Sequence, residues 1–267
     1  MESSEDAASA ILRLAGDDLA RFAAHYRWTC DRLRDEELFF HREERYRLST
    51  FAEADAEVYS DAEYMSKYVN GLLLSQVVWF NHAATFEMFL NRVIGLLDEP
   101  ADYLEIGPGH GLMTYFAGQS PFVQTLAACD VSAVSLRDTR EALDKLGLDK
   151  PIALTLADIT DEKEMERQFG LIVASEVLEH LERPDIAIAK LRRAIAPDGR
   201  LFINVPINSP SPDHIYLLST PQDVTDLVEA GGFSIDRMEL YATQGVDIER
   251  ALEDRISISA AVLARPC

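Results

Sequence analysis

The chain of 267 residues has only three cysteines, Cys30, Cys129 and Cys267, widely spaced, odd in number and without a C-x-x-C pair. That argues against a disulfide framework or a thiolate zinc site and fits a reducing compartment. No apolar run approaches the roughly 20 residues needed to cross a bilayer. The acidic start Met1 to Asp6 has no basic region followed by an apolar one, so no signal peptide is read there. The expectation is a soluble, cytoplasmic protein with no membrane partner. Basic residues are scarce, 25 Lys and Arg against 46 Asp and Glu, for a formal charge of −21. With so little to neutralise phosphates over a broad face, no nucleic-acid partner is expected; cationic and neutral substrates stay open. Neither H-x-x-x-H nor a clustered Asp/His triad is present, and no metal is expected.

What is present reads as two regions. Leu19, Phe22, Ala23, Tyr26, Cys30 and Leu33 recur at three- and four-residue steps, predicting a helix from about Asp17 to Arg47. A polar passage follows around Ser49-Thr50 and Glu53 to Glu57. A second long helix is expected from about Asp61 to Leu97, interrupted at Gly71. Tyr68, Gly71, Ser75, Trp79, His82 and Phe86 line up on one face of it. Two readings of that face are open: a helix-helix seam with close approach at Gly71 and Ser75, or an aromatic pocket wall with a few polar groups.

From Ala101 onward strands alternate with helices, predicting a parallel sheet covered on both faces. The strands are expected at the glycine stretch, Val123 to Asp130, Ile152 to Ala157, Gly170 to Ala174 and Arg200 to Val205. Helices are expected from Ser132 to Leu146, Asp161 to Arg167, Pro184 to Ile195 and Pro221 to Ala230. The last two strands, Phe233 to Tyr241 and Ile256 to Leu263, have no long helix between them and read as an antiparallel hairpin. The expected fold is α/β and doubly wound, a seven-stranded, mostly parallel sheet with an antiparallel last strand. The division is a helical segment over 1–100, expected to cover a substrate site, and a cofactor-binding core over 101–267.

The stretch Ala101-Asp-Tyr-Leu-Glu-Ile-Gly-Pro-Gly-His-Gly111 is a strand, a glycine turn and a helix start. Such glycines let a ligand lie on the main chain near free N–H groups. The third glycine falls four places after the first, where a pyrophosphate-binding G-x-G-x-x-G needs five. Glu105 would repel a phosphate there and favours a ligand with a cation near the strand end. Asp130 closes the second strand about 25 positions later, suited to accept from two ribose hydroxyls or to sit beside a helix cap.

Glu105, Gly107, Gly109 and Gly111 form an E-x-G-x-G-x-G pattern that resembles the first motif of the class I S-adenosylmethionine-dependent methyltransferases. Ser175-Glu-Val-Leu-Glu-His-Leu181 resembles a motif of their small-molecule branch, which includes the quinone-biosynthesis enzymes. The resemblance implies S-adenosyl-L-methionine as cofactor and S-adenosyl-L-homocysteine as product. It implies cofactor contacts at Glu105, Gly107, Gly109, Gly111, Asp130, Val131, Asp158, Ile159 and Ser175, with Val131 on the adenine, Asp158 at its amino group and the Ile159 N–H at a ring nitrogen. It also implies a seventh strand inserted between the fifth and sixth.

Methyl transfer to a small-molecule oxygen or nitrogen needs in-line placement and, for some acceptors, a base. His180, His214 and His82 are the candidate bases, each with a plain structural reading beside it. Tyr68, Trp79 and His82 are the candidate acceptor-binding residues. The 20-to-5 excess of Arg over Lys associates with secondary metabolism. Non-methyl chemistry on the same fold, or a cofactor-sensing protein, is the alternative. The N-terminal helices could also form a homodimer seam.

Overall fold

The computed structural model describes residues 3–161, 165 and 167–267. The chain opens with α1 (Ser3–Ala15), which the periodicity reading missed, then α2 (Leu19–Glu43). The polar passage expected as a break holds a short helix, α3 (Phe51–Ala54). It forms because Thr50 and Glu53 make a reciprocal capping box that satisfies backbone N–H groups at its start. Then come α4 (Ala62–Val78), capped by the Asp61 carboxylate on the Glu63 and Tyr64 N–H groups, and α5 (Phe80–Met88).

The break in the long helix lies at Trp79 rather than Gly71. Trp79 is extended, with φ −94 and ψ 129, and serves as the end of α4 and the start of α5. Its indole N–H donates to the Tyr26 hydroxyl at 2.7 Å, holding the turn against α2. Gly71 instead lets α2 and α4 touch: a Cβ there would meet Thr29 Oγ1 at 2.1 Å and Thr29 Cβ at 2.7 Å. Thr29 is buried and has no room to retreat. Gly71→Val is therefore expected to destabilise the protein by about 2 to 3 kcal/mol through overpacking. A denaturation series checks this, and adding Thr29→Gly, which removes both the Oγ1 and the Cβ it would meet, should recover more of the loss than adding Thr29→Ala.

The sheet is β1 (Ala101–Ile106), β2 (Val123–Asp130), β3 (Ile152–Leu156), β4 (Phe169–Ser175), β5 (Ile195–Ile207), β6 (Phe233–Ala242) and β7 (Ile258–Pro266). Its order is β3-β2-β1-β4-β5-β7-β6, with β7 antiparallel to both neighbours. The helices between are α6 (Leu112–Gln119), α7 (Ala133–Lys145), α8 (Pro184–Ala194), α9 (Pro221–Ala230) and a short α10 (Ile248–Glu253). The acidic helix expected over Asp161 to Arg167 falls largely on 162–164 and 166, outside the described residues.

Alternation along β1 divides the core. Leu104 and Ile106 join Ile188, Leu191, Val224 and Val228 of α8 and α9 on one face. Tyr103 on the other face joins Leu112, Leu143, Phe86 and Phe89, and also Ile11 and Leu14 of α1. The N-terminal helices thus share one apolar core with the sheet. Arg13 donates to the Leu146 carbonyl and Lys145 to the Leu14 carbonyl, fastening α1 to the end of α7. Asn81 of α5 donates to Ser259 of β7 at 3.0 Å, so the helical segment is also pinned to the start of β7, where Ser259 pairs with Pro206 near the carboxyl end of β5.

Candidate active site

The glycine turn follows β1 directly. Gly107, Gly109 and Gly111 have φ of +63, +49 and +72, a region that favours residues without a Cβ. Gly107 N–H is bound to the Cys129 carbonyl and Gly111 N–H to the Pro108 carbonyl, which bends the chain back above the sheet. Gly109 is exposed, and a Cβ placed on it would meet nothing within 4 Å. The turn is an open cradle at the sheet's carboxyl edge, where ligands of doubly wound folds lie.

Glu105 is buried beneath this cradle and accepts hydrogen bonds from the Tyr103 hydroxyl at 2.8 Å and from Thr114 Oγ1. Burial raises it to about 7, against the opposing pull of those two hydroxyls. Both donors are neutral, so a cationic ligand group is the natural partner for its charge. Asp130 accepts from the Ser132 N–H at 2.8 Å and the Ser135 hydroxyl at 2.7 Å. It therefore caps α7 while each oxygen keeps a lone pair for a further donor. Val131 beside it is 51% exposed, an apolar face set at the rim. Asp158 accepts from the Thr160 N–H and hydroxyl through one oxygen, and Ile159 is buried. Ser175 ends β4 next to Asn204 of β5. This set fits a nucleoside bearing an ammonium group: a backbone cradle, one acid under it and one carboxylate beyond each of two strands.

Across the edge lies a second polar cluster. Glu176 follows β4 with φ +55, a strained conformation for a side-chain-bearing residue, and accepts from Asn204 Nδ2 at 2.6 Å. Glu179 and His180 follow on a short 3-10 turn. The loop after β5 is tied to that turn by the Ile215 and Tyr216 N–H groups, both 2.9 Å from the Glu179 carbonyl. This brings His214 against His180, ring centroids 4.9 Å apart.

Asp213 is the hub of the cluster. It accepts from Tyr68 at 2.8 Å, Ser211 at 3.0 Å and Tyr59 at 3.2 Å. Burial works against its charge, but the adjacent His180 and His214 and these hydroxyls hold its carboxyl below the usual range. Tyr68 and Tyr59 thus tie the helical segment to the site, as does Tyr46, whose hydroxyl accepts from the Ser209 N–H at 3.2 Å and whose ring packs on His214. Ser75 on the same face bonds His82, and Trp79 stacks edge-on upon His82 at 4.9 Å. Burial, reinforced by His110 of the glycine turn, lowers His82 to about 4. Burial lowers His214 likewise to about 4. Both rings are neutral at pH 7 and poor proton acceptors. Beyond Tyr64 and Pro212 a cavity of about 250 Å³ opens, lined by Arg32, Arg47, Asp35, Glu36 and Glu57.

Sequence reasoning missed Tyr59, Glu176, Glu179 and Asp213. The i, i+3 acids before His180 and the Asp-His pair in the loop were visible, but nothing in one sequence says that these two stretches meet. Among the described residues, Glu179 Oε1 and Oε2, Asn204 Oδ1, Asn81 Oδ1 and Thr85 Oγ1 are buried without a hydrogen-bond partner. Such orphans are rare in folded proteins, and those of Glu179 and Asn204 fall in this cluster.

Fold and cradle define the class: an α/β protein that holds a nucleoside-type cofactor at the carboxyl ends of its strands. Residues 104–201 match the family described as a methyltransferase domain, and the sheet has the class I S-adenosylmethionine-dependent fold. Solved structures similar to it include the following three. The [4+2]-cyclase SpnF has a TM-score of 0.56 and 17% identity, with 68% of this chain and 80% of that one covered. The N-methyltransferase NodS of Bradyrhizobium japonicum, bound to S-adenosyl-L-homocysteine, has 0.53 and 18%, covering 69% and 87%. The magnesium protoporphyrin IX methyltransferase of Synechocystis, bound to the same product, has 0.53 and 14%, covering 70% and 85%. Over 103 residues the chain is 33% identical to an uncharacterized protein of Synechococcus sp.. That match takes in 38% of this chain, which spans about a quarter (24%) of the relative's length. S-adenosyl-L-methionine is the cofactor that the domain implies, and the cradle fits it. No helix among the described residues is long and apolar enough to cross a membrane.

Proposed function

We propose that the protein transfers a methyl group from S-adenosyl-L-methionine to an oxygen or nitrogen of a small molecule, as a biosynthetic enzyme. The observation that carries this reading is the open glycine cradle with Glu105 beneath it and the Asp130 carboxylate beyond the next strand. The cofactor supplies an electrophilic methyl on a sulfonium, so little covalent help is needed. The chain's residues bind, orient and exclude water. Asp130 would hold the ribose hydroxyls, Val131 the adenine face, Asp158 and the Ile159 N–H the adenine edge, and Glu105 the ammonium. Residues 1–100 would cover the acceptor, with Tyr68, Trp79 and His82 lining its side. His82, neutral and held by Ser75 and Gln76, serves as a contact rather than a base.

Incubation with methyl-labelled cofactor and a panel of hydroxyl and amine metabolites tests the proposal. Label in a product supports it; calorimetric binding of NADH and not of S-adenosyl-L-homocysteine sinks it. His82→Ala is expected to leave product binding within about twofold while lowering turnover about tenfold or more, the scale of a lost positioning contact. A second reading, cofactor binding with non-methyl chemistry, has the fold likeness to a cyclase behind it. Tight binding without label transfer across the panel would favour it. A homodimer through the N-terminal helices is supported by exposed Leu12, Leu19 and Leu38; light scattering of the purified chain decides it.

A further inference from the structure

Glu179, His180 and His214 each offer one ligand atom within 4.8 Å of the others. The hydrogen bonds around them fix what those atoms are. His180 Nδ1 faces the Asp213 carbonyl at 3.1 Å and the Tyr59 hydroxyl at 3.2 Å, whose own proton goes to the Asp213 carboxylate, and His214 Nδ1 faces the Ser209 carbonyl at 2.7 Å. A carbonyl only accepts, so each Nδ1 carries the proton and each Nε2 presents a lone pair. Both Nε2 atoms stand toward the same carboxylate oxygen, Glu179 Oε1, at 3.6 and 4.0 Å. The Glu179 side chain is wholly buried, and neither oxygen has a hydrogen-bond partner. Two ring lone pairs and a buried carboxyl oxygen therefore converge on one point.

That arrangement asks for a cation. The separations are too long for hydrogen bonds. They are close to the edges of about 3.4 Å expected between ligands bound tetrahedrally at about 2.1 Å. Imidazole Nδ1–H donated to a backbone carbonyl is the outer-shell arrangement that metal-binding histidines adopt. A single proton shared with one histidine would leave the second lone pair and the other carboxylate oxygen unanswered.

We propose that Glu179, His180 and His214 bind a divalent transition-metal ion, with an open coordination position that takes a hydroxyl oxygen of the acceptor. Two imidazoles and one carboxylate suit zinc, manganese or iron(II) rather than magnesium or calcium. The open side is that of His180, 22% exposed against 7% for His214 and none for Glu179. The site lies beside the cradle, since Val177 of the same turn reaches to 2.9 Å from where a Gly107 Cβ would stand. The acceptor role rests on the methyl-transfer reading; metal binding does not. On the metal the hydroxyl loses its proton to solvent. The O–CH₃ bond then forms as the S–CH₃ bond breaks, its electron pair staying on sulfur. His180 and His214 thus act as ligands, and no histidine base is needed for an oxygen acceptor.

The test uses the full chain, stripped with chelator and titrated with Zn²⁺ or Mn²⁺, with S-adenosyl-L-homocysteine binding measured in parallel. One equivalent of metal per chain is expected, and Co²⁺ should give ligand-field absorption bands. His180→Ala and His214→Ala are each expected to weaken metal binding about a hundredfold or more, beyond the 10- to 100-fold of outer-shell losses, with product binding retained. Because buried His214 could fail on folding grounds, the Co²⁺ spectrum of the unmutated chain stands as a variant-free reading. Product binding without metal uptake or Co²⁺ bands overturns the metal site alone. Metal uptake without product binding overturns the cofactor reading alone. Uptake indifferent to both substitutions refutes the assignment of ligands.

Discussion

Asp130→Ala is expected to weaken S-adenosyl-L-homocysteine binding by about 100-fold or more. Two hydrogen bonds from ribose hydroxyls to a carboxylate, each of about 1.5 to 3 kcal/mol, set that scale. The folded state should suffer far less. Asp130 accepts from the Ser132 N–H and Ser135 hydroxyl at the start of α7. The Ser132 hydroxyl still caps the helix on the Ser135 N–H, so the stability loss should stay near about 1 kcal/mol. Calorimetry with the product, beside a denaturation curve, separates the two. Full affinity in the variant would show that the carboxylate is only a helix-end group and that the cofactor lies elsewhere.

The affinity for the same product should also rise with pH through the neutral range. Burial raises Glu105 from 4.5 to about 7. Between those values the native chain holds this proton more tightly than the unfolded one. The group's contribution to stability is therefore greatest below 4.5, falls as pH rises toward 7 and is level above. Binding a ligand ammonium runs the other way, because it needs the carboxylate. Each unit below 7 should lower affinity about tenfold, so pH 6 binding should be about ten times weaker than pH 8 binding. Glu105→Gln should flatten the profile at the low-pH level. Since Glu176 is also raised to about 7 by burial, that flattening assigns the effect; a slope that persists in the variant belongs to Glu176 or another group.

Period and punctuation carried the reading of the core domain. Strands β1, β2 and β4 are short runs of apolar residues bounded by glycine, aspartate or serine, and the hairpin of β6 and β7 was legible because no long helix separates them. The N-terminal segment was read less well. A helix break was placed at Gly71 because glycine weakens helices. There it is kept by contact with Thr29, a residue 42 positions earlier. The actual break at Trp79 depends on a hydrogen bond to Tyr26, which no local pattern announces. Helix α3 was overlooked because a capping box within a polar passage has little apolar periodicity around it.

The side proposed for the cofactor could be read from the sequence for a physical reason: a cradle, an acid and a second acid sit at fixed offsets along one βαβ run, so chain order sets their spacing in space. The acceptor side could not, because it is assembled from three distant stretches. His180 and His214 were visible as single residues. Only the packing of the β5 loop on the turn after β4, through the Glu179 carbonyl, brought them onto one buried carboxyl group and turned two candidate bases into the proposed set of ligands. The amino-acid order alone determined the fold class and the place where a nucleoside cofactor would lie, since both follow from local backbone chemistry. Tertiary structure decided what faces that cofactor, because burial and long-range contact set the charge and partners of Glu179, Asp213 and the histidines around them.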